Sequence, residues 1–357
     1  MALADRLIAQ IRANGPLTVA QFMTACLHDP QDGYYATRPA LGEDGDFITA
    51  PLVSQMFGEL IGLWLVQTWI DLGRPAPFRL VEMGPGDGTL MSDILRAARV
   101  APDVLPAADI WLVEVSEPLR AQQAERLAGQ PIHWAGSLAE VPAGAPLLLV
   151  ANELLDCLAP RQFVRTARAW AERLVSVDDQ GRLAWGLGGV AALPLPDGAP
   201  APAPGQVLEL CAGQQALGAE LGARMAADGG AALLIDYGRA APGYGDTLQA
   251  LSRHQKVDVL ATAGQADLTV HADFPAVVAA ARAAGAAAAP ILTQGEFLMR
   301  LGIVPRAEAL AAARPERADQ IERQLLRLIA PDQMGELFKV ACLCQSGLTP
   351  PAFETAA

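Results

Sequence analysis

The chain is predicted to be α/β, a Rossmann-like and mostly parallel sheet with a helical N-terminal region and an inserted strand and loop subdomain. Three observations predict this. From residue 79 onward, short apolar runs of strand length alternate with helical segments, the pattern of a parallel sheet with crossover helices. One run leads into a glycine-rich turn that opens directly into an amphipathic helix. The 357 residues exceed one ordinary domain of about 100–200 residues, and 52 % hydrophobic against 18 % charged residues leaves ample material for a core. Aromatics are only 5 % and alanine is abundant, so the helices should pack through small side chains that bury less area per residue.

Residues 1–78 read as a helical N-terminal region. In PLTVAQFMTACLHDP, Thr18 and Gln21 have capping-box spacing, and Val19, Phe22, Met23, Cys26 and Leu27 form one apolar stripe. A turn-rich stretch follows, then QMFGELIGLWLVQTWIDLG, a helix apolar enough to be buried on more than one side. Residues 79–160 make the first half of the sheet, with strands expected in FRLVEMG, DIWLVEVS and PLLLVAN and a weaker unit in PIHWAGSLAEV. Residues 161–228 are an insertion: strands within RQFVRTARAWAERLVSVDDQGRLAWGLGG, a hairpin turn at Asp178-Asp179-Gln180-Gly181, and the exposed connector LPLPDGAPAPAPG. Residues 229–357 complete the sheet with AALLIDYG and LFKVACLCQ around a loop-rich insertion. The helix bearing Trp64 and Trp69 and the hairpin bearing Trp170 and Trp185 are either core or a homodimer interface.

A net charge of −13 offers no electrostatic source for gripping phosphate backbones, which argues against a nucleic-acid partner. Five cysteines without a CxxC pair read as reduced core residues, not a metal cage. The N-terminus has no continuous apolar segment of signal type and no run reaches the roughly 18 apolar residues of a membrane span, so a cytoplasmic protein without membrane insertion is expected.

The most informative segment is FRLVEMGPGDGTLMSDIL. A strand enters Gly84-Pro85-Gly86-Asp87-Gly88, and a helix starts near Thr89, so backbone amides and a helix N-terminus face one pocket. A dinucleotide fingerprint would need glycine at Thr89, a phosphate loop would end in Gly-Lys-Ser/Thr, and the acid ending the next strand, Glu114, lacks the usual spacing of about 20 residues from the loop. These absences count against a nicotinamide-dependent oxidoreductase. Glu82 would repel pyrophosphate and attract an ammonium or sulfonium, both carried by S-adenosylmethionine. Glu114, ending the next strand, is placed to bind ribose hydroxyls, and Ser137 and Leu138 to flank an adenine ring. The plain alternative is an ordinary tight turn with Glu82 as a solvated strand end.

Taken together and in order, GDFITAPLVSQMFGELIG, VEMGPGDGTLMSDIL, VEVSEPLRAQQ, ANELLDCLAPRQF, LLIDYG, GDTLQALSRHQKVDVL, ADLTVHADF, TQGEFLMRLGI and GELFKV resemble the MidA family of class I S-adenosylmethionine-dependent methyltransferases across nearly the whole chain. The resemblance implies the class I methyltransferase fold and S-adenosylmethionine as cofactor. It also implies mitochondrial relatives that act in respiratory complex I assembly by dimethylating an arginine of the 49 kDa-type subunit, and places this chain among the similar bacterial members. It carries the cofactor loop onto Gly84, Pro85, Gly86 and Gly88 with Glu82 before them, and the ribose acid onto Glu114. Gly45, Phe47, Thr49 and Ser54 fall in the segment that closes over the cofactor. The sequence departs from the family at Leu52, where glutamate is common, at Asp87, often arginine, and at Leu154-Leu155, usually two phenylalanines.

Methylating an arginine requires carboxylates that grip a guanidinium protonated up to about pH 12 and accept its proton late. Asn152, Glu153 and Asp156 sit just past the PLLLVAN strand, where open α/β sheets place reactive groups, and Asp236 with Tyr237 ends a neighbouring strand. Asn152 is assigned to the cofactor, and Glu153, Asp156 and Asp236 to catalysis. Glu153 and Asp156, three apart, could share a helical face, or serve as N-cap and first-turn acid of the next helix. Asp246, His254, Asp267, Thr269, His271 and Asp273 crowd the later insertion, where irregular spacing favours a hydrogen-bonded loop network over a metal. No metal is assigned. The rival in another class is a cofactor-binding assembly or chaperone module with little catalysis.

Overall fold

The computed structural model describes residues 2–37, 49–252 and 255–354. The chain forms two compact units, each assembled from three separate stretches: Met1–Phe47, Leu155–Gln215 and Ala241–Pro275 in one, and Ile48–Leu154, Ala216–Ala240 and Ala276–Ala357 in the other.

The second unit carries the sheet. Its strands lie side by side in the order Ala287–Ala288, Phe338–Cys344, Gly230–Arg239, Leu147–Asn152, Phe78–Met83, Ala108–Val113 and Ile132–Ala135. The Leu147–Asn152, Phe78–Met83, Ala108–Val113, Ile132–Ala135 and Gly230–Arg239 strands run parallel, and Phe338–Cys344 is antiparallel to the last of these. All six residues of Leu147–Asn152 are buried, as a continuous apolar run in the middle of a covered parallel sheet should be. Sequence order reverses between Phe78–Met83 and Leu147–Asn152, and ligands of open α/β sheets bind at the carboxyl ends of strands at such a switch point.

Helices Gln55–Asp71 and Thr89–Ala98 cover the sheet together. Gly58 and Gly62, one turn apart, allow their close approach: a Cβ at Gly58 would stand 2.5 Å from Asp93 Cβ, and one at Gly62 would stand 2.9 Å from Ala97 Cβ. The first of these helices is buried around most of its circumference, with Trp64 and Trp69 inside the same core. These two tryptophans are therefore packing residues.

The first unit begins with helices Leu3–Asn14 and Val19–His28. Thr18 and Gln21 form the expected reciprocal capping box, and Phe22, Met23, Cys26 and Leu27 enter the core with Val175 and Leu268. The insertion supplies an antiparallel sheet in the order Leu17–Thr18, Trp170–Val177, Arg161–Arg165, Val207–Leu210, with Leu183–Ala191 paired to Trp170–Val177. The hairpin turn closes through Gly181 N–H to the Asp178 carbonyl at 2.9 Å. Trp170 is buried, whereas Trp185 is 42 % exposed. The five cysteines are free thiols, and burial pushes Cys26 up to about 12. Among the described residues no helix is long and apolar enough to cross a membrane.

Candidate functional site

The Phe78–Met83 strand delivers Glu82 and then the glycine turn. Gly84, Gly86 and Gly88 have φ of 65°, 55° and 83°, values that L side chains rarely adopt, which explains three glycines in five residues. The Gly84 amide still bonds to Val113 O (3.0 Å), and Gly88 N–H closes the turn on Pro85 O (2.9 Å). Asp87 Oδ1 accepts Thr89 N–H at 2.9 Å, so an aspartate side chain caps the helix that Gly88 begins.

Glu82 is 2 % exposed, not a solvated strand end. Burial first, and the Asp87 charge second, push its carboxyl well above the usual range, against a hydrogen bond from the Met91 amide. Its Oε2 has no hydrogen-bond partner among the described residues, and neither has Asn152 Oδ1 at the end of the adjacent strand. Two buried acceptors at the switch point, beside a left-handed glycine turn, suit a ligand with a cationic, hydrogen-donating end. The residues present thus fit S-adenosylmethionine.

Glu114, just past the Ala108–Val113 strand, is 8 % exposed and raised by burial, while the Ser116 amide bonds its Oε1 at 2.7 Å. Ser137 is exposed and donates to Glu140 at 3.3 Å, whereas Leu138 is buried. Ser54 is the N-cap of Gln55–Asp71, accepting Met56 N–H at 3.3 Å, and Thr49 occupies the N-cap position of the Ala50–Val53 helix. Gly45 and Phe47 lie outside the described residues, as does His254.

The three acids assigned to catalysis are not equivalent. Glu153 is half-buried at φ 54°, an uncommon conformation for a non-glycine residue. Its amide bonds Ile235 O (2.8 Å), and its Oε1 accepts Asn152 Nδ2 (3.0 Å) and the Ala50 amide (3.2 Å). The helical face expected to join Glu153 and Asp156 does not form, because the left-handed residue breaks the backbone before the short Leu155–Cys157 helix. Asp156 belongs to the other unit, where Cys157 Sγ donates to its Oδ1 at 3.3 Å. Asp236 is completely buried, opposite Lys339 on the antiparallel strand, and its Oδ1 accepts the Tyr237 amide at 2.8 Å.

The acids of the later insertion enter hydrogen-bonded networks in the first unit. Asp267 accepts from Tyr35 OH at 3.2 Å, Asp246 pairs with Arg173 at 2.7 Å, and the Asp273 amide donates to Gln214 at 2.9 Å. The His271 amide bonds Thr247 Oγ1 at 2.9 Å. Among the described residues no three His, Cys, Asp or Glu side chains come together as a metal site.

One buried residue escaped the sequence reading. Gln123, on the Glu117–Arg126 helix, is fully buried between the glycine turn, Glu114 and Trp134. Its signal was a polar residue one turn after Leu119 on the inward face of that helix.

A family model described as S-adenosyl-L-methionine-dependent methyltransferase matches residues 60–292. The mouse mitochondrial protein arginine methyltransferase NDUFAF7 is 38 % identical over 93 % of this chain and 82 % of its own length. The human protein of that name is 37 % identical over 94 % and 82 %. A crystal structure from Burkholderia thailandensis bound to S-adenosyl-homocysteine superposes with a TM-score of 0.82 at 26 % identity, covering 99 % of this chain and 93 % of that one. The curated relatives from mouse, human and fly are mitochondrial proteins, which overturns the bacterial, cytoplasmic location expected from the sequence. That expectation rested on a resemblance to bacterial family members, on reduced cysteines and on missing apolar segments, which do not distinguish one compartment from another.

Proposed function

This chain belongs to the S-adenosyl-L-methionine-dependent methyltransferase family, and we propose that it methylates an arginine side chain of a protein, on the model of the NDUFAF7 enzymes. The observation that carries the cofactor half of this reading is the buried Glu82 carboxylate with an unpartnered oxygen at the switch point. Likeness along the whole chain to protein arginine methyltransferases supports the substrate half. The 49 kDa-type subunit of respiratory complex I, implied by the family resemblance, is the first substrate to test.

In this reading Glu82 and Asn152 hold the cationic end of the cofactor, the glycine turn takes its backbone, and Glu114 takes the ribose hydroxyls. Bound S-adenosylmethionine supplies an electrophilic methyl group on a sulfonium. The chain then has to align the guanidinium and take one proton from it. Glu153 is the acid for this task. It is half-buried where Asp236 is sealed, and the Asn152 and Ala50 donors on Oε1 orient the carboxylate.

The test is methyl transfer from S-adenosylmethionine to the isolated 49 kDa-type subunit, read by mass spectrometry of its arginines. Methylarginine that disappears with Glu153→Gln supports the reading. Cofactor binding without transfer to this subunit or to arginine-containing peptides would favour the assembly module. The homodimer reading now rests on exposed Trp185, and a monomer mass by light scattering would remove it.

A further inference from the structure

The Glu117–Arg126 helix grips the glycine turn at two successive peptide groups. Gln123 Nε2 donates to Gly86 O at 2.7 Å and, at a longer 3.5 Å, to Glu114 Oε2, while its Oε1 accepts the Trp134 indole N–H at 2.9 Å. The direction of this carboxamide follows from chemistry. An indole N–H can only donate, so the amide oxygen must face Trp134 and both amide hydrogens must face the turn and the acid. Three residues on, Arg126 Nε donates to Asp87 O at 2.9 Å and its Nη2 pairs with the Asp87 carboxylate at 2.8 Å. Gly88 backs onto the same helix, since a Cβ there would stand 3.5 Å from Gln123 Cα.

A trans peptide points its N–H opposite to its C=O. Pinning the Gly86 carbonyl to Gln123 therefore aims the Asp87 amide away from the helix, and pinning the Asp87 carbonyl to Arg126 fixes the next peptide, whose N–H closes the turn on Pro85. We infer that Gln123 and Arg126 are positioning residues for the cofactor, one clamp that sets the peptide orientations of the Gly84–Gly88 turn and locks that turn in register with Glu114. Asp87, where arginine is common in the family, belongs to the clamp: its carboxylate pairs with Arg126 and caps the following helix at once. This inference rests on reading the turn and Glu114 as the cofactor site.

The experiment is calorimetric titration of S-adenosylhomocysteine into the full chain and its Glu114→Ala, Gln123→Leu, Gln123→Glu and Arg126→Ala variants at pH 6 and pH 8. Gln123→Leu should weaken binding about tenfold or more, because it strips the half-buried Gly86 carbonyl and Trp134 indole of this partner. Arg126→Ala should weaken it by roughly three- to tenfold. Gln123→Glu separates positioning from packing. A protonated carboxyl can still donate to Gly86 O and accept from Trp134, whereas an ionised one cannot donate and repels Glu114. Its affinity relative to wild type should therefore recover several-fold from pH 8 to pH 6. Should Gln123→Leu fail to fold, this pH ratio and the part-exposed Arg126 carry the test. Arg126→Ala and both Gln123 variants binding within twofold of wild type at both pH values, with Glu114→Ala clearly weakened, would overturn the clamp. Unchanged binding by Glu114→Ala as well would overturn the assignment of the cofactor site, and the clamp with it.

Discussion

Glu153 Oε1 stands 3.2 Å from the backbone nitrogen of Ala50, joining the end of the Leu147–Asn152 strand to the first turn of the Ala50–Val53 helix. Ala50 lies in the GDFITAP stretch, which resembles the family segment that closes over the cofactor. One carboxylate thus serves the proposed guanidinium site and the first turn of the Ala50–Val53 helix. Its left-handed backbone lets it turn back toward that helix as the chain leaves the strand.

Glu153→Gln retains an oxygen to accept the Ala50 and Asn152 donors but loses the charge and the proton acceptor. Cofactor affinity should stay within about threefold of wild type while single-turnover methyl transfer falls by roughly 10²–10⁴. Normal transfer by this variant would remove Glu153 from the chemistry.

Glu82 makes stability and function oppose each other. Its carboxyl is raised above the unfolded value of about 4.3, so between the two values the folded chain holds more protons than the unfolded one. Its contribution to stability is present in acid and declines as pH rises from the unfolded value through the folded one. Glu82→Gln should therefore raise the melting temperature at pH 8 by a few degrees, at about 2–4 °C per kcal/mol, and much less at pH 4. The same variant should bind S-adenosylhomocysteine at least tenfold more weakly. A lower melting temperature at pH 8 would contradict the buried, ligand-awaiting carboxylate.

Cofactor binding by the wild type should also depend on pH. An ammonium favours the ionised form of Glu82, so binding releases a proton and weakens as pH falls below the raised value. Calorimetry in buffers of different ionisation enthalpy would count that proton, and its absence in Glu82→Gln identifies the source.

Gly84→Val places a branched side chain at φ 65°, where even a Cβ would lie 3.1 Å from Leu154 Cδ1. Loss of detectable cofactor binding with an unchanged circular dichroism spectrum is expected, along with a stability cost of about 1–3 kcal/mol. Gly58→Ala is the contrast. Its Cβ would stand 2.5 Å from Asp93 Cβ, so the two helices must part, costing about 1–3 kcal/mol in denaturant titration.

Features governed by near neighbours were legible in the chain. The Thr18–Gln21 capping box, the Asp178–Gly181 turn, the apolar parallel strands and the strand, glycine turn and helix around Gly84 each depend on residues within about one turn or one strand. The candidate site was legible to the extent that it hangs on that turn: Glu82 and Glu114 could be named because they end strands. The shared helical face of Glu153 and Asp156 was misjudged because three-residue spacing implies a helix only if the backbone between remains helical, and Glu153 does not.

The sequence by itself therefore determined the fold class, the glycine turn and the acids at the strand ends, through backbone sterics and hydrophobic periodicity that act over a few residues. Only the tertiary structure decided which of those acids is sealed and which half-open. It alone paired Glu153 with Ala50, 103 residues away, set Gln123 between Gly86 and Glu114, and interleaved three stretches of chain in each unit. The physical reason is that a side chain's burial and its distant partners come into being when separate elements pack, and no local pattern of residues encodes them.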